Sequence, residues 1–96
     1  MKTKLFVIGR NGNIMAKVLG ALEKEGFDAL GAIEENDIVT GFKQHDPKAV
    51  VIGGGVELDQ RVSIKQKLRE IKPDILFVEH FGGIQSMMDE IKWALD

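Results

Sequence analysis

The chain contains no cysteine and no tyrosine, and it has only two histidines and two prolines. Without cysteine, neither disulfide bonds nor thiolate metal sites can form. The two histidines, His45 and His80, lack the close spacing of metal ligands, so we predict no metal site. The apolar run that follows Lys4 is too short for a signal-peptide core or a membrane span. These absences predict a cytoplasmic protein.

Charge and composition are ordinary for a globular domain. The 96 residues are 44% hydrophobic and 29% charged, with a formal net charge of −2. Such a balance gives no general attraction to nucleic acid or to acidic membranes. The length is that of one small domain, so we predict a single α/β domain over residues 1–96.

Four short apolar runs recur along the chain, each followed by enough residues for a helix. This alternation is typical of βαβ units and a parallel sheet. We predict a three-layer, Rossmann-like open sheet of four parallel strands with helices on both faces. We favour strand order 3-2-1-4, to place a crevice at the first turn, with 2-1-3-4 as the alternative. The predicted strands are Leu5–Ile8, Phe27–Ile33, Ala49–Ile52 and Ile75–Val78.

The helices are predicted from apolar periodicity and capping residues. Asn36 fits an N-cap for the second helix, and Ser63 with Gln66 fits a capping box for the third. Leu58 and Val62 match a different helical face, which leaves the segment before Ser63 open. On the first helix we expect Ile14, Val18, Ala21 and Leu22 to face the core. The predicted helices cover 13–25, a short stretch after Asn36, 64–72 and 84–95.

Glycines stand at three of the four predicted strand ends. Ligands of open parallel sheets bind beyond the carboxyl ends of the strands, where glycines allow a close backbone approach. Glu79 and His80 follow the fourth strand, but adjacent residues of a strand point in opposite directions, so we predict no catalytic pair. The residues gathered at this edge would be 9–13, 34–35, 53–55 and 79–83.

The stretch Val7-Ile8-Gly9-Arg10-Asn11-Gly12-Asn13-Ile14-Met15 resembles the G-x-x-G-x-x-G turn of NAD(P)-binding Rossmann domains, in particular extended and atypical short-chain dehydrogenases. The resemblance implies that Gly9 and Gly12 lie against the cofactor pyrophosphate. It implies that Glu34 binds the adenosine ribose hydroxyls. The implied cofactor-binding residues are Gly9, Arg10, Asn11, Gly12, Asn13, Ile14, Glu34, Gly53 and Gly54.

The chain lacks a motif glycine and the catalytic residues of that family. Met15 stands in place of the third glycine of the motif. The family's Tyr-x-x-x-Lys pair cannot exist in a chain without tyrosine. The resemblance therefore implies a non-catalytic module that binds NAD(P) or an adenine nucleotide. The simpler alternative is that Gly9 and Gly12 serve only a tight turn, and that Glu34 and Glu35 favour the start of the second helix.

Two other families share the βα alternation. Receiver domains need paired acidic residues after strand one and an aspartate after strand three. This chain has Arg10-Asn11 and Gly53 at those places, which excludes phosphoryl transfer. Cobalamin-binding domains need an Asp-x-His-x-x-Gly motif after strand one, which is missing here. A degenerate member of either family still fits the predicted fold.

The alternative function is a ligand-free interaction domain that keeps only the fold. Strand four lies at an edge of the sheet in both strand orders, and unpaired edges attract other strands. The predicted final helix buries Ile84, Met88, Ile91 and Leu95, which turns Trp93 outward. Exposed tryptophans are enriched at binding hot spots. We therefore predict a homodimer through the last helix or the strand-four edge.

Overall fold

The computed structural model describes residues 2–79 and 84–95. In these residues four strands alternate with four helices in an open, three-layer α/β fold, which confirms the predicted class. The strands are β1 (Thr3–Ile8), β2 (Phe27–Ala32), β3 (Ala49–Ile52) and β4 (Leu76–Glu79). The helices are α1 (Gly12–Lys24), α2 (Glu35–His45), α3 (Leu58–Ile71) and α4 (Ile84–Leu95).

The strands are parallel and lie in the order β2-β1-β3-β4. The favoured order 3-2-1-4 is therefore wrong, and the alternative 2-1-3-4 is correct. Burial explains the outcome. β1 and β3 are continuous apolar runs covered on both faces, as interior parallel strands are. β2 carries the exposed Asp28 and Leu30 and is only partly covered, which suits an edge.

The core lies in two layers, one on each face of the sheet. Alternate residues of a strand point to opposite faces, so β1 and β3 supply both layers. Helices α1 and α4 cover one face, and α2 and α3 cover the other. The first layer includes Leu5, Val7, Val51, Leu22 and Ile91, and the second includes Phe6, Ile8, Ile52, Phe42 and Leu68.

The carboxyl ends of the four strands lie level with one another. Ile8 of β1 pairs with Ala32 of β2 and with Ile52 of β3, and Ile52 pairs in turn with Glu79 of β4. The chain leaves β1 toward β2 on one side and leaves β3 toward β4 on the other. A crevice therefore opens between β1 and β3, where the strand order reverses.

The ends of α1 follow local rules. Asn11 is the N-cap, and Gly26 ends the helix in the left-handed region at φ 91°, as its position predicted. The face of α1 that packs on the core begins one residue later than predicted. Met15 is buried with Val18 and Leu22, whereas Ile14 is exposed.

Two helix starts differ from prediction. α2 begins at Glu35 with Glu34 as N-cap, so Asn36 lies inside the first turn. α3 is one continuous helix that begins at Leu58, so the prediction that a capping box at Ser63 starts this helix is wrong. The buried residues of α3 lie at positions 61, 64 and 68, a face that extends one turn before the predicted start.

The final helix has the predicted bounds. Met87, Met88 and Ile91 are buried against the α1 face of the sheet. Trp93 is 85% exposed, as predicted. None of the helices in residues 2–79 and 84–95 combines the length and the hydropathy of a membrane-spanning segment.

Candidate functional site

A crevice of about 380 Å³ lies at the carboxyl ends of β1 and β3, under the first turn of α1. Its floor is apolar, formed by Val7, Met15, Val18, Val51 and Met87. Six of the nine predicted site residues line it: Gly9, Arg10, Asn11, Ile14, Gly53 and Gly54. Gly12, Asn13 and Glu34 are not part of its lining. A crevice with a mostly apolar lining therefore lies at the strand ends where the site was predicted.

The first turn of α1 is already capped by its own chain. The Asn11 side chain accepts hydrogen bonds from the backbone N–H of Asn13 at 2.9 Å and of Ile14 at 3.1 Å. Free first-turn N–H groups are what makes a helix start attractive to an anion. Because Asn11 satisfies two of them, this turn is poorly suited to hold a pyrophosphate.

Met15 gives the glycines around it a packing role. It is buried, and its side chain lies in the space that side chains on Gly9 and Gly31 would need. A Cβ on Gly9 would lie 3.1 Å from Met15 Cε, and one on Gly31 would lie 2.6 Å from Met15 Sδ. The glycine at position 9 thus accommodates the methionine that replaces the third motif glycine.

Arg10 and Glu34 make separate local contacts. Arg10 Nη1 donates to the Ile33 carbonyl oxygen at 3.5 Å, a long hydrogen bond, and its stem packs near Gly55. Glu34 is the exposed N-cap of α2 and makes no side-chain capping bond. Glu35 lies in the first turn of α2, where negative charge is favoured by the helix dipole.

Gly53, at the end of β3, lies very close to β1. Its N–H donates to the Ile8 carbonyl oxygen at 2.8 Å, and an added Cβ would lie 3.3 Å from that oxygen. A side chain at this position would have to displace backbone atoms of the neighbouring strand. The close approach of β1 and β3 therefore explains glycine here.

The most unusual polar group at this edge is Arg61 of α3, which is 1% exposed. Its Nε donates to the Val56 carbonyl oxygen at 2.8 Å, and its Nη2 donates to the Gly53 carbonyl oxygen. Its Nη1 lies 3.6 Å from Glu79 Oε1 at the end of β4. One guanidinium thus joins the β3–α3 loop to β4.

Glu79 completes this cluster with Lys65, whose Nζ donates to Glu79 Oε2 at 3.0 Å. The Lys65 hydrogen bond is the main cause that lowers the pKa of Glu79 below its ordinary value of 4.5. Burial opposes it by raising the pKa, and the charges of Lys65 and then Arg61 lower the pKa further. The carboxylate therefore stays ionised and serves as the shared partner of two cations. His80, considered beside Glu79 in the sequence, lies outside the described residues, as do residues 81–83.

Arg61 was not among the residues predicted for this edge. Its position three and seven residues before Ile64 and Leu68 places it on the buried face of α3, and this spacing was the available signal. An arginine on an otherwise apolar helix face needs hydrogen-bond partners when buried. Backbone carbonyls in the preceding loop supply them.

No family model and no curated protein sequence matches the chain. Among solved structures, it is similar to a response regulator from Thermotoga maritima, with a TM-score of 0.67 and 19% sequence identity. The similarity covers 98% of this chain and 80% of that one. The fold is flavodoxin-like. At this level of identity the likeness shows the fold alone, and the strand order 2-1-3-4 agrees with the flavodoxin-like order.

This finding overturns the resemblance to NAD(P)-binding short-chain dehydrogenases. The prediction of a nucleotide-binding module of Rossmann type is wrong with it. The seven-residue glycine motif suggested a cofactor site, but residues of this motif have structural roles in this fold. Asn11 caps its own helix, and Gly9 accommodates Met15.

The residues that follow β1 and β3 in the structure are those on which the prediction of no phosphoryl transfer depended. Gly9, Arg10 and Asn11 follow β1, and Gly53, Gly54 and Gly55 follow β3, so neither strand is followed directly by a carboxylate. Within residues 2–79 and 84–95, no three acidic or histidine side chains come together as metal ligands. The first residue after β3 is Gly53, whose carbonyl oxygen accepts a hydrogen bond from Arg61.

Proposed function

We propose that this chain is a self-associating protein-interaction domain with a response-regulator fold that works without phosphoryl transfer. The main observation behind the proposal is that the chain has this fold, yet no carboxylate that could accept a phosphoryl group directly follows β1 or β3. The buried Arg61 ties the β3–α3 loop to β4. We infer that this loop is held in one state, so that the fold acts as a fixed binding surface.

Two features support self-association. β4 is an edge strand, and edges with unpaired backbone groups attract other strands. Trp93 is 85% exposed on α4, on the side opposite the buried Met88 and Ile91. Tryptophan is enriched among residues that dominate binding energy. A small domain also gains from association because its own core is limited.

Two measurements test the proposal. Light scattering over a range of concentrations should show a species of twice the 10.6 kDa chain mass. Treatment with acetyl phosphate, followed by intact-mass analysis, should add no phosphoryl group. A chain that stays at 10.6 kDa at every concentration would refute self-association. A phosphorylated product would refute the absence of phosphoryl transfer.

A further inference from the structure

β4 has an outer edge that no strand pairs with in the part of the chain that the structure describes. In the flavodoxin-like order 2-1-3-4-5, a fifth strand takes this place. Here the helix that follows β4 packs on the α1 face instead. Alternate residues of a parallel strand direct their N–H and C=O to one neighbour, so the others on β4 point outward.

The β4 edge is apolar and carries no charged residue in the middle of the strand. Leu76 is 39% exposed and Phe77 is partly buried under the guanidinium of Arg69, which lies 5.0 Å from the ring centroid. The charge on the strand, Glu79, is at its end and is bound by Lys65 and Arg61. An edge of this kind lacks the central charge that protects edge strands from pairing.

The opposite edge, β2, differs. It has an exposed charge, Asp28, within the strand and a glycine, Gly31, that weakens it. Of the two edges, β4 is therefore the better surface for strand pairing.

Building on the self-association proposed above, we propose that β4 pairs antiparallel with β4 of a second copy, with Phe77 opposite Phe77. The two sheets then form one continuous sheet, and the dimer is two-fold symmetric. In an antiparallel pair, directly opposed residues point to the same face. A symmetric pairing must therefore be centred on a residue of the strand.

The choice of register follows from the side chains. A centre at Phe77 places Leu76 opposite Val78 and Glu79 opposite the apolar Ile75. A centre at Val78 would instead place Phe77 opposite Glu79 and carry Leu76 beyond the end of the partner strand. A centre at Leu76 would pair Phe77 and Val78 with residues that lie before the strand. Within β4 the Phe77 register therefore gives the largest number of apolar cross-strand pairs, which are the stabilising unit of a sheet.

Charge favours a second copy over an acidic peptide as the occupant. An acidic segment would need cations at this edge, but Arg61 and Lys65 are already bound by Glu79. Arg69 of each copy would lie near the two-fold axis over its own Phe77. Because Arg69 is exposed, the repulsion between the two copies is small and screened by salt.

Cysteine cross-linking tests the register directly, because the natural chain contains no cysteine. Phe77→Cys should form a disulfide-linked dimer on oxidation, since opposed Cα atoms lie about 4.5–5.5 Å apart, within disulfide range. Leu76→Cys mixed with Val78→Cys should link better than either alone. Leu30→Cys and Trp93→Cys are the controls and should give little product. A short bis-maleimide provides a second reagent that tolerates imperfect geometry.

A charge substitution provides an independent readout. Leu76→Lys should raise the dimer dissociation constant by about tenfold or more, because a lysine on an edge opposes strand pairing. Leu30→Lys is the matched control, since Leu30 is 40% exposed on the β2 edge and Leu76 is 39% exposed on β4. The control should leave the dissociation constant within about twofold. Circular dichroism is used to check that both variants fold.

The outcomes separate the two proposals. Cross-linking at Phe77 with weakening by Leu76→Lys supports both. A dimer that links through Trp93→Cys, or resists Leu76→Lys, overturns the β4 pairing and leaves self-association standing. A wild-type chain that remains monomeric at every concentration overturns both.

Discussion

Replacing Arg61 with methionine should destabilise the fold by about 2 kcal/mol. The substitution leaves the Val56 carbonyl oxygen, next to a buried side chain, without the Nε donor that lies 2.8 Å away. A buried acceptor without a partner costs about 1–3 kcal/mol. The Gly53 carbonyl loses less, because the Val56 N–H still donates to it at 3.2 Å. The pair with Glu79 is partly exposed and adds about 1 kcal/mol at most.

One effect opposes these losses, because methionine relieves the desolvation of a buried guanidinium. Replacing whole buried ionic groups by apolar side chains is often neutral or stabilising. Here, however, the acceptors are backbone carbonyls of Gly53 and Val56, which remain after the substitution. The losses should therefore exceed the relief.

Thermal unfolding followed by far-ultraviolet circular dichroism is the suitable assay. Trp93 is already exposed in the folded state, so its fluorescence would change little on unfolding. A loss of about 2 kcal/mol should lower Tm by roughly 8–16 °C in a domain of this size. Arg69→Met, an exposed arginine of the same helix that stacks on Phe77, is the control and should cost about 1 kcal/mol or less. An Arg61→Met variant as stable as the wild type would refute the reasoning.

Two further predictions follow from packing and from charge. Gly31→Ala places a Cβ 2.6 Å from Met15 Sδ and should cost about 1–3 kcal/mol in urea unfolding, whereas Gly20→Ala, with no atom within 4 Å, should stabilise α1 by about 0.5–1 kcal/mol. Equal stability of the two variants would contradict this packing. The pKa of Glu79 is lowered in the folded state mainly by the Lys65 hydrogen bond, so its contribution is present above about pH 4.5 and is lost as pH falls through the lowered value. The stability gap between wild type and Glu79→Gln should therefore narrow in acid, and a gap independent of pH would count against the ion cluster.

The strands and helices could be read from the chain because their signals are local. The apolar runs at β1 and β3 and the periodicity of α4 gave strands and a helix close to those observed. Gly26 marked the end of α1 because only a residue that tolerates positive φ fits there. The start of α3 was missed because Leu58 and Val62 are exposed, and the core face begins at Arg61.

The strand order was harder to predict from the sequence, although the composition of β2 did indicate its position. Asp28 and Gly31 in β2 are typical of an edge strand, and the favoured order placed that strand inside the sheet. Adjacency of strands depends on which faces the helices cover, and this is a property of the assembled layers. The carboxyl ends of the four strands were predicted to meet at one edge, and they do, because parallel strands all end on the same side of a sheet.

The roles of the residues at that edge were decided by tertiary structure. The sequence alone determined that glycines stand at the ends of β1 and β3 and that no acceptor carboxylate follows either strand directly. Why Gly9 is a glycine depends on Met15, and why Gly53 is a glycine depends on the backbone of Ile8. The buried Arg61 depends on carbonyls and a carboxylate that come together only when α3, the β3–α3 loop and β4 are packed. Distances between groups far apart in the chain are set by packing, and so these roles appear only in the folded protein.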